Sequence, residues 1–297
     1  MSATVYDIVT ERILGLLERG VVPWQKPWAQ RDGAGNVVMP QNLVSGRAYR
    51  GVNVFLLGCS GYGAPYWVSF KQALDLGGNV RKGEKSTPAI FWKILDVEDA
   101  AAKDGRKKVP MLRYYSVFNV EQCDGLEYPK PSTETPEGAA PFDPIATAAG
   151  IVAGMPKPPT LTHREARAYY RPITDTVNMP APELFHAPAA YYSTLFHELT
   201  HSTGHAARLA RTGITELAAF GGGTYGREEL VAEMGAAFLC AEAGVLHHTA
   251  EESAAYLANW IAAIKGDNKL VTIAAAQAQK AADYILGRLE EAQGGAA

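Results

Sequence analysis

Helical and extended hydrophobic patterns alternate in the first part of the chain. Apolar residues at three- and four-residue spacing predict an opening helix that ends at Gly20. They are Val5, Ile8, Val9, Ile13, Leu16 and Leu17. A short helix is expected over residues 69–76, and strand-like runs predict strands over residues 89–95 and 112–119. The pattern therefore predicts a small α+β domain.

The second part of the chain carries two longer helical patterns. The first lies between Pro188 and Gly204, and its apolar positions are Tyr191, Leu195, Phe196 and Leu199. The second covers residues 227–244 and ends at a glycine, with an apolar stripe of Leu230, Met234, Ala237, Phe238 and Ala241. Residues 164–178 alternate as in a strand. This strand is either a sheet edge that pairs with a substrate peptide or an ordinary internal strand.

A proline-rich segment separates the two parts. Residues 128–144 contain five prolines and little hydrophobic pattern, which is typical of an extended linker. The net charge changes across it, from +3 in residues 1–127 to −6 in residues 128–297. We therefore expect two α+β domains, at 1–127 and 145–297, joined by a linker at 128–144.

Composition narrows the class of protein. A hydrophobic content of 47% is ordinary for a globular protein. The three cysteines, Cys59, Cys123 and Cys240, are far apart and odd in number, so neither a disulfide framework nor a paired-cysteine metal site is expected. The longest uncharged apolar run, residues 145–155, is too short to span a membrane. Since no signal-peptide pattern is present at the N-terminus either, we expect a cytoplasmic protein without a membrane partner.

The pattern H-E-x-x-H is the most specific chemical signal in the sequence. His197 and His201 lie four residues apart in the first long helical pattern, so a helix puts both imidazoles on one face. Two such histidines bind zinc, and the adjacent carboxylate of Glu198 acts as the general base that activates water. We expect Zn²⁺ as the cofactor, with Mn²⁺ or another divalent cation as the alternative.

A catalytic zinc needs a third protein ligand. The metzincin pattern fails, because Ala207 occupies the position where its third histidine would lie. The later helix offers Glu229 and Glu233 instead, and we take Glu229 as the ligand and Glu233 as the residue that orients a ligating histidine. The two share one helical face, so the reverse assignment stays open. His205 is expected at the surface or beside a ligand, since a fourth protein ligand would close the water position.

Transition-state stabilisation requires a further donor near the metal. His205, Tyr192 and Tyr225 are the candidates, and their spacing does not rank them.

Cations and aromatic residues are interleaved in the first part of the chain. Single-stranded nucleic acid is bound by this mixture, because cations follow the phosphates while aromatic rings stack on unpaired bases. The candidate DNA-binding residues are Arg47, Tyr49, Arg50, Trp67, Lys71, Arg81, Lys82 and Lys85. Composition alone favours the alternative that the aromatic rings belong to the core and the cations are only solvated.

Three segments of the first part resemble the N-terminal domain of ArdC antirestriction proteins, which also occurs in TraC-type primases. They are residues 41–53, 66–73 and 78–85. The second part, with its H-E-x-x-H pattern and the run Glu228-Glu-Leu-Val-Ala-Glu233, is similar to the zincin-like metallopeptidase domain of the same family. The resemblance implies single-stranded DNA binding, protection of incoming plasmid DNA from host restriction during conjugation, and a fold related to SprT/Spartan-like proteases.

These observations predict a DNA-binding domain joined to a zinc metallopeptidase with an unknown protein substrate. The alternative is a non-enzymatic protein that coats single-stranded DNA and whose metal site is structural. A third hypothesis is that the first domain is a protein-docking module. It predicts no salt-dependent binding to single-stranded DNA.

Overall fold

The computed structural model of the protein describes residues 4–25, 30–31, 37–98, 106–130, 142–215, 223–247 and 254–289. Its helices are α1 (Val5–Leu17), α2 (Val52–Gly58), α3 (Phe70–Asp75), α4 (Pro144–Gly154), α5 (Pro188–Ser202), α6 (Thr212–Thr215), α7 (Gly223–Ala243), α8 (Ala254–Gly266) and α9 (Leu270–Ile285). Its strands are β1 (Gln30–Arg31), β2 (Val37–Val38), β3 (Gln41–Asn42), β4 (Tyr66–Val68), β5 (Asn79–Val80), β6 (Thr87–Glu98), β7 (Arg106–Asn119), β8 (Cys123–Asp124), β9 (Thr160–Thr162), β10 (Tyr169–Arg171) and β11 (Thr176–Asn178).

Local capping explains where the predicted helices of the first part begin. The Thr4 hydroxyl accepts a hydrogen bond from the backbone N–H of Asp7, and the Asp7 carboxylate accepts one from the backbone N–H of Thr4. Ser69 and Gln72 form the same reciprocal pair at the start of α3. Both helices are therefore confirmed close to their predicted bounds.

A four-stranded sheet in the order β3-β4-β7-β6 forms the centre of the first part. The long β6–β7 hairpin dominates it and is paired without interruption from Thr87↔Val117 to Glu98↔Arg106. Strands are confirmed at residues 89–95 and 112–119, but both extend further toward the hairpin tip than predicted. The sequence near the hairpin tip is rich in charged residues, so a search for strand-like apolar runs does not detect it.

One hydrophobic core continues from the first part into the second. The Phe55 ring of α2 stacks on the Phe238 ring of α7 at a centroid distance of 5.1 Å. The Trp24 ring meets both Phe55 and Trp260 of α8 edge to face. Polar contacts follow the same boundary, since Arg50 forms an ion pair with Asp283 of α9. The two parts are thus packed together as one body, and residues 131–141 of the predicted linker lie outside the described residues.

Helices α5, α7 and α9 pack against one another in the second part, and α7 lies in contact with both of the others. A three-stranded sheet in the order β10-β11-β9 packs on α5. The prediction of one strand over residues 164–178 is corrected by this sheet. A turn at residues 172–175 splits the segment into β10 and β11, and Asp175 takes a left-handed conformation there. Strand β11 is internal, whereas β10 is an edge of the described sheet.

None of the helices in the described ranges is both long and apolar enough to cross a membrane.

The shared core predicts that the two parts unfold together. Phe55→Ala removes a fully buried ring that contacts Phe238, so we expect a loss of about 3–5 kcal/mol in the free energy of unfolding. Urea unfolding followed by far-UV circular dichroism and by tryptophan fluorescence should give one transition that moves to lower urea. The control is Phe70→Ala, because the Phe70 side chain is 50% exposed. Two separate transitions, of which only one moves, would contradict a common core.

Candidate metal centre and nucleic-acid groove

The H-E-x-x-H residues lie on the buried part of α5. This helix begins at Pro188, whose fixed backbone angle suits a first helical position. His197 and His201 are one turn apart, and their Nε2 atoms are 3.1 Å from each other. Both rings therefore direct the same nitrogen at one point in space.

Helix α7 brings Glu229 to the same point. The Glu229 carboxylate lies 3.4 Å from Nε2 of His197 and 3.3 Å from Nε2 of His201. One ligand atom from each of the three residues lies within 4.8 Å of the others. Gly235 permits this approach of α7 to α5, since a Cβ atom at that position would lie 2.5 Å from the Thr200 side chain. Two imidazole nitrogens and one carboxylate oxygen are a donor set that suits zinc or manganese.

Two other carboxylates lie behind the imidazoles. Glu233 is 3.5 Å from Nδ1 of His197, and Glu228 is 3.7 Å from Nδ1 of His201. Glu229 therefore faces the Nε2 side, which the two histidines share, whereas Glu233 faces the outer side of His197. This geometry favours Glu229 as the ligand and Glu233 as the orienting residue. The H-E-x-x-H pattern gives no role to Glu228.

Both rear carboxylates have buried partners. Arg211 binds Glu228 with its guanidinium and also donates to the Thr200 carbonyl oxygen at 2.8 Å. Glu233 accepts a hydrogen bond from the Tyr256 hydroxyl at 2.9 Å and lies 3.2 Å from Nε2 of His247. Sequence spacing does not identify Arg211, Tyr256 or His247, because all three come from separate segments of the chain.

Buried opposite charges set the protonation of the cluster. Burial favours a neutral imidazole, but the carboxylates of Glu229 and Glu228 raise the pKa of His201 to about 10. Burial also disfavours charge on Glu229, yet the two imidazoles hold the pKa of its carboxyl well below the usual range. A divalent cation at this point would therefore replace protons on the imidazoles.

The remaining candidates of the second part lie around this centre. Glu198 is 8% exposed, and no residue in the described ranges donates a hydrogen bond to its carboxylate. His205 lies beyond α5, where its Nδ1 accepts from the backbone N–H of Ala207 at 3.2 Å, and it is not part of the three-residue cluster. The half-buried Tyr192 packs on Tyr191 and Phe196. The side chain of Tyr225 lies outside the described residues.

Arg208 fastens the three-stranded sheet to the end of α5. Its guanidinium binds the Asp175 carboxylate with both terminal nitrogens, one of them at 3.0 Å, and its Nε donates to the Ser202 carbonyl oxygen at 2.7 Å. Its side chain is only 1% exposed, so this ion pair is protected from solvent on the arginine side. The turn between β10 and β11 is thereby tied to the end of α5.

An open groove in the first part combines cations with exposed aromatic rings. Its volume is about 570 Å³, and its lining includes Arg47, Lys71, Phe91 and Tyr115. Phe91 and Tyr115 are 41% and 39% exposed, and their rings contact each other at 5.7 Å. In the described part of the chain, no acidic side chain forms an ion pair with Arg47 or Lys71. Both charges are therefore available to a phosphate.

Four other predicted DNA-binding residues are either buried or paired with a carboxylate. Trp67 is 1% exposed and belongs to a core cluster, so its ring has no face open to a base. Tyr49 is 8% exposed and belongs to the same cluster, but it also lines the groove beside Tyr115. The assignment of Trp67 as a stacking residue is thus corrected by its burial. Arg50 is paired with Asp283, and Arg81 is paired with Glu84.

Lys82 and Lys85 are exposed but do not line this groove. Phe91, which does line it, is not singled out by the pattern of interleaved cations.

Both parts of the chain match known protein domains. Residues 3–118 match the N-terminal domain of the anti-restriction factor ArdC, and residues 157–277 match a zincin-like metallopeptidase domain. The chain is thus a two-domain protein of the antirestriction type with a zincin-like second domain. It belongs to the ArdC family.

Solved structures and curated relatives agree with this assignment. The metal-free and Mn(II)-bound crystal structures of the antirestriction protein ArdC from the R388 plasmid are each 37% identical to this chain, with a TM-score of 0.74. They match 97% of this chain, and the match covers 99% and 98% of theirs. An uncharacterized protein y4eC from Sinorhizobium fredii (strain NBRC 101917 / NGR234) is 33% identical over 97% of this chain and 94% of its own length.

The DNA primase TraC from Escherichia coli is a longer relative. Two forms are 36% and 34% identical over 95% of this chain, and the match spans only 20% and 27% of their lengths.

The Arg208–Asp175 pair predicts a pH-dependent contribution to stability. Burial opposes ionisation of Asp175, but Arg208 and Tyr170 hold the pKa of its carboxyl below the usual range. Stability from this pair is therefore present above about pH 4 and lost as pH falls through the lowered pKa. Asp175→Asn should lower the free energy of unfolding at pH 7 by about 1–3 kcal/mol.

The difference between wild type and Asp175→Asn should shrink as the pH approaches 3, as measured by urea unfolding at several pH values. Asn tolerates the left-handed backbone at this position, which makes the substitution a clean test. Asp267→Asn, in the exposed Arg227 pair, is the control and should have little effect. A difference that stays constant from pH 7 to pH 3 would exclude the proposed cause.

Proposed function

We propose that this protein binds single-stranded DNA and is a metal-dependent peptidase that protects incoming plasmid DNA from host restriction during conjugation. The observation that carries the enzymatic part is the convergence of His197, His201 and Glu229 on one point, with Glu198 adjacent in the same helix. Membership of the ArdC family supports the antirestriction role. We assign this action to the cytoplasm.

His197, His201 and Glu229 would hold the metal through two nitrogens and one carboxylate oxygen. A divalent cation held there would polarise a carbonyl group and acidify a water. Glu198 has no competing hydrogen bond from the described residues, so its carboxylate would be available to take a proton from an attacking water. Zinc is the proposed native metal, and the Mn(II)-bound relative supports manganese as the alternative.

A peptide substrate would pair with strand β10. This strand is an edge of the described sheet and packs on the helix that carries Glu198. Backbone pairing along an edge strand holds an extended peptide without selecting a particular sequence. The protein substrate is proposed to be one that is bound to, or close to, the captured DNA.

Single-stranded DNA would bind in the groove lined by Arg47, Lys71, Phe91 and Tyr115. The two cations suit phosphates, and the two exposed rings suit unpaired bases. This location replaces the buried Trp67 with rings that a base can reach, and it keeps Tyr49 as part of the groove wall.

Glu198→Gln tests whether protection depends on peptidase chemistry. The substitution removes the base but keeps the size of the side chain, so we expect bound zinc and DNA affinity to stay at wild-type levels. Conjugation frequency into a restricting recipient should fall to the level seen without the protein. The exposed Glu183→Gln is the matched control. Full protection by Glu198→Gln would show that proteolysis is not required and would favour the DNA-coating alternative.

Alanine substitutions in the groove test the DNA assignment. Loss of Phe91 or Tyr115 should weaken binding to an oligo-dT strand by about 1–3 kcal/mol per ring. Arg47→Ala should instead reduce the salt dependence of binding, since a phosphate contact is lost. Fluorescence anisotropy at several salt concentrations measures both effects.

The controls for the groove lie on the opposite face of the same two strands. Trp92→Ala and Tyr114→Ala remove exposed rings next to Phe91 and Tyr115 in sequence, but adjacent strand residues point to opposite faces. We expect these variants to bind DNA normally. An equal loss from both faces would contradict a groove on one side of the hairpin.

A further inference from the structure

A buried chain of polar groups lies behind His197, outside the three proposed ligands. It consists of Ser193, His247, Glu233 and Tyr256. Ser193 has no exposed surface, and the side chains of His247 and Glu233 are only 5% and 7% exposed. A carboxylate in such surroundings requires hydrogen-bond donors, because burial disfavours its charge.

Ser193, His247 and Glu233 contact one another in the same order as the serine, histidine and carboxylate of a nucleophilic triad. The Ser193 hydroxyl lies 3.1 Å from Nδ1 of His247, and Nε2 of His247 lies 3.2 Å from Glu233. However, complete burial of Ser193 prevents a substrate from reaching its hydroxyl. The chain leads to His197 instead, whose Nδ1 is 3.5 Å from the other oxygen of Glu233.

The neighbours of His247 define the direction of its hydrogen bonds. Its Nδ1 faces the Ser193 hydroxyl and, at 3.9 Å, the Cys240 thiol. A carboxylate oxygen only accepts hydrogen bonds, so Nε2 of His247 carries a proton and donates it to Glu233. The Tyr256 hydroxyl donates to the second Glu233 oxygen.

We infer that His247 and Tyr256 are positioning residues of the metal centre. Each donates one hydrogen bond to a different oxygen of Glu233, and together they keep this carboxylate behind Nδ1 of His197. A carboxylate there selects the imidazole form with its proton on Nδ1. The lone pair of Nε2 is then directed at the point shared with His201 and Glu229. This inference rests on the proposed metal-binding role of that cluster.

Metal affinity of the full-length protein tests the inference. Mn²⁺ alone is the probe, and isothermal titration calorimetry measures its binding. Tyr256→Phe and His247→Leu each remove one donor to Glu233, so we expect Mn²⁺ to bind about 10- to 100-fold more weakly. His247→Gln keeps an N–H donor in place of Nε2 and should restore affinity to within a few-fold of wild type.

The controls separate positioning from folding and from the metal assignment itself. Tyr284→Phe removes a half-buried hydroxyl on α9 and should leave Mn²⁺ affinity unchanged. Thermal unfolding of each variant in EDTA reports on the fold without metal, and Tyr256→Phe should unfold close to the wild-type temperature. His197→Ala should abolish tight Mn²⁺ binding. If it does not, the proposed metal centre is wrong, which is a different failure from that of the inference.

Two results would overturn the positioning role. One is wild-type Mn²⁺ affinity in both Tyr256→Phe and His247→Leu while His197→Ala has lost it. The other is equal weakening in His247→Gln and His247→Leu, because the retained N–H donor would then have no effect.

Discussion

The close approach of α5 and α7 is the constraint on which the metal centre depends. Each helix contributes charged or polar side chains. Burial of either set alone would be unfavourable, and this cost is offset only where the two sets face each other. Two imidazoles from α5 meet three carboxylates from α7, one on the shared side and two behind. Gly235 makes the short helix separation possible, because any side chain there would collide with Thr200.

The rear carboxylates are anchored by two different kinds of partner. Glu228 is held by the guanidinium of Arg211, which also binds the end of α5. Glu233 is held by a tyrosine hydroxyl and an imidazole from segments on the other side of α7. The centre is therefore connected to the loop after α5 on one side and to α8 on the other. Its geometry depends on the packing of the whole second part rather than on α5 alone.

Sequence analysis could predict the features that depend on residue spacing within one short segment. Helix α1 and the H-E-x-x-H helix follow from spacing within one segment, and a second segment offers Glu229 and Glu233 without deciding between them. Arg211, His247 and Tyr256 could not be predicted, since their roles arise only from contacts between distant segments. Burial also decides which aromatic rings are accessible. Trp67 and Phe91 are both aromatic residues near cations in sequence, but only Phe91 reaches solvent.

The stacked Phe55 and Phe238 rings join the two parts of the chain through apolar surfaces. Either part on its own would expose an apolar face that the other normally covers. We therefore expect the two parts to be retained together when this region is transferred between genes. The relationship to TraC fits this rule, because the shared region takes in 95% of the present chain while forming only a minor portion of that much longer enzyme.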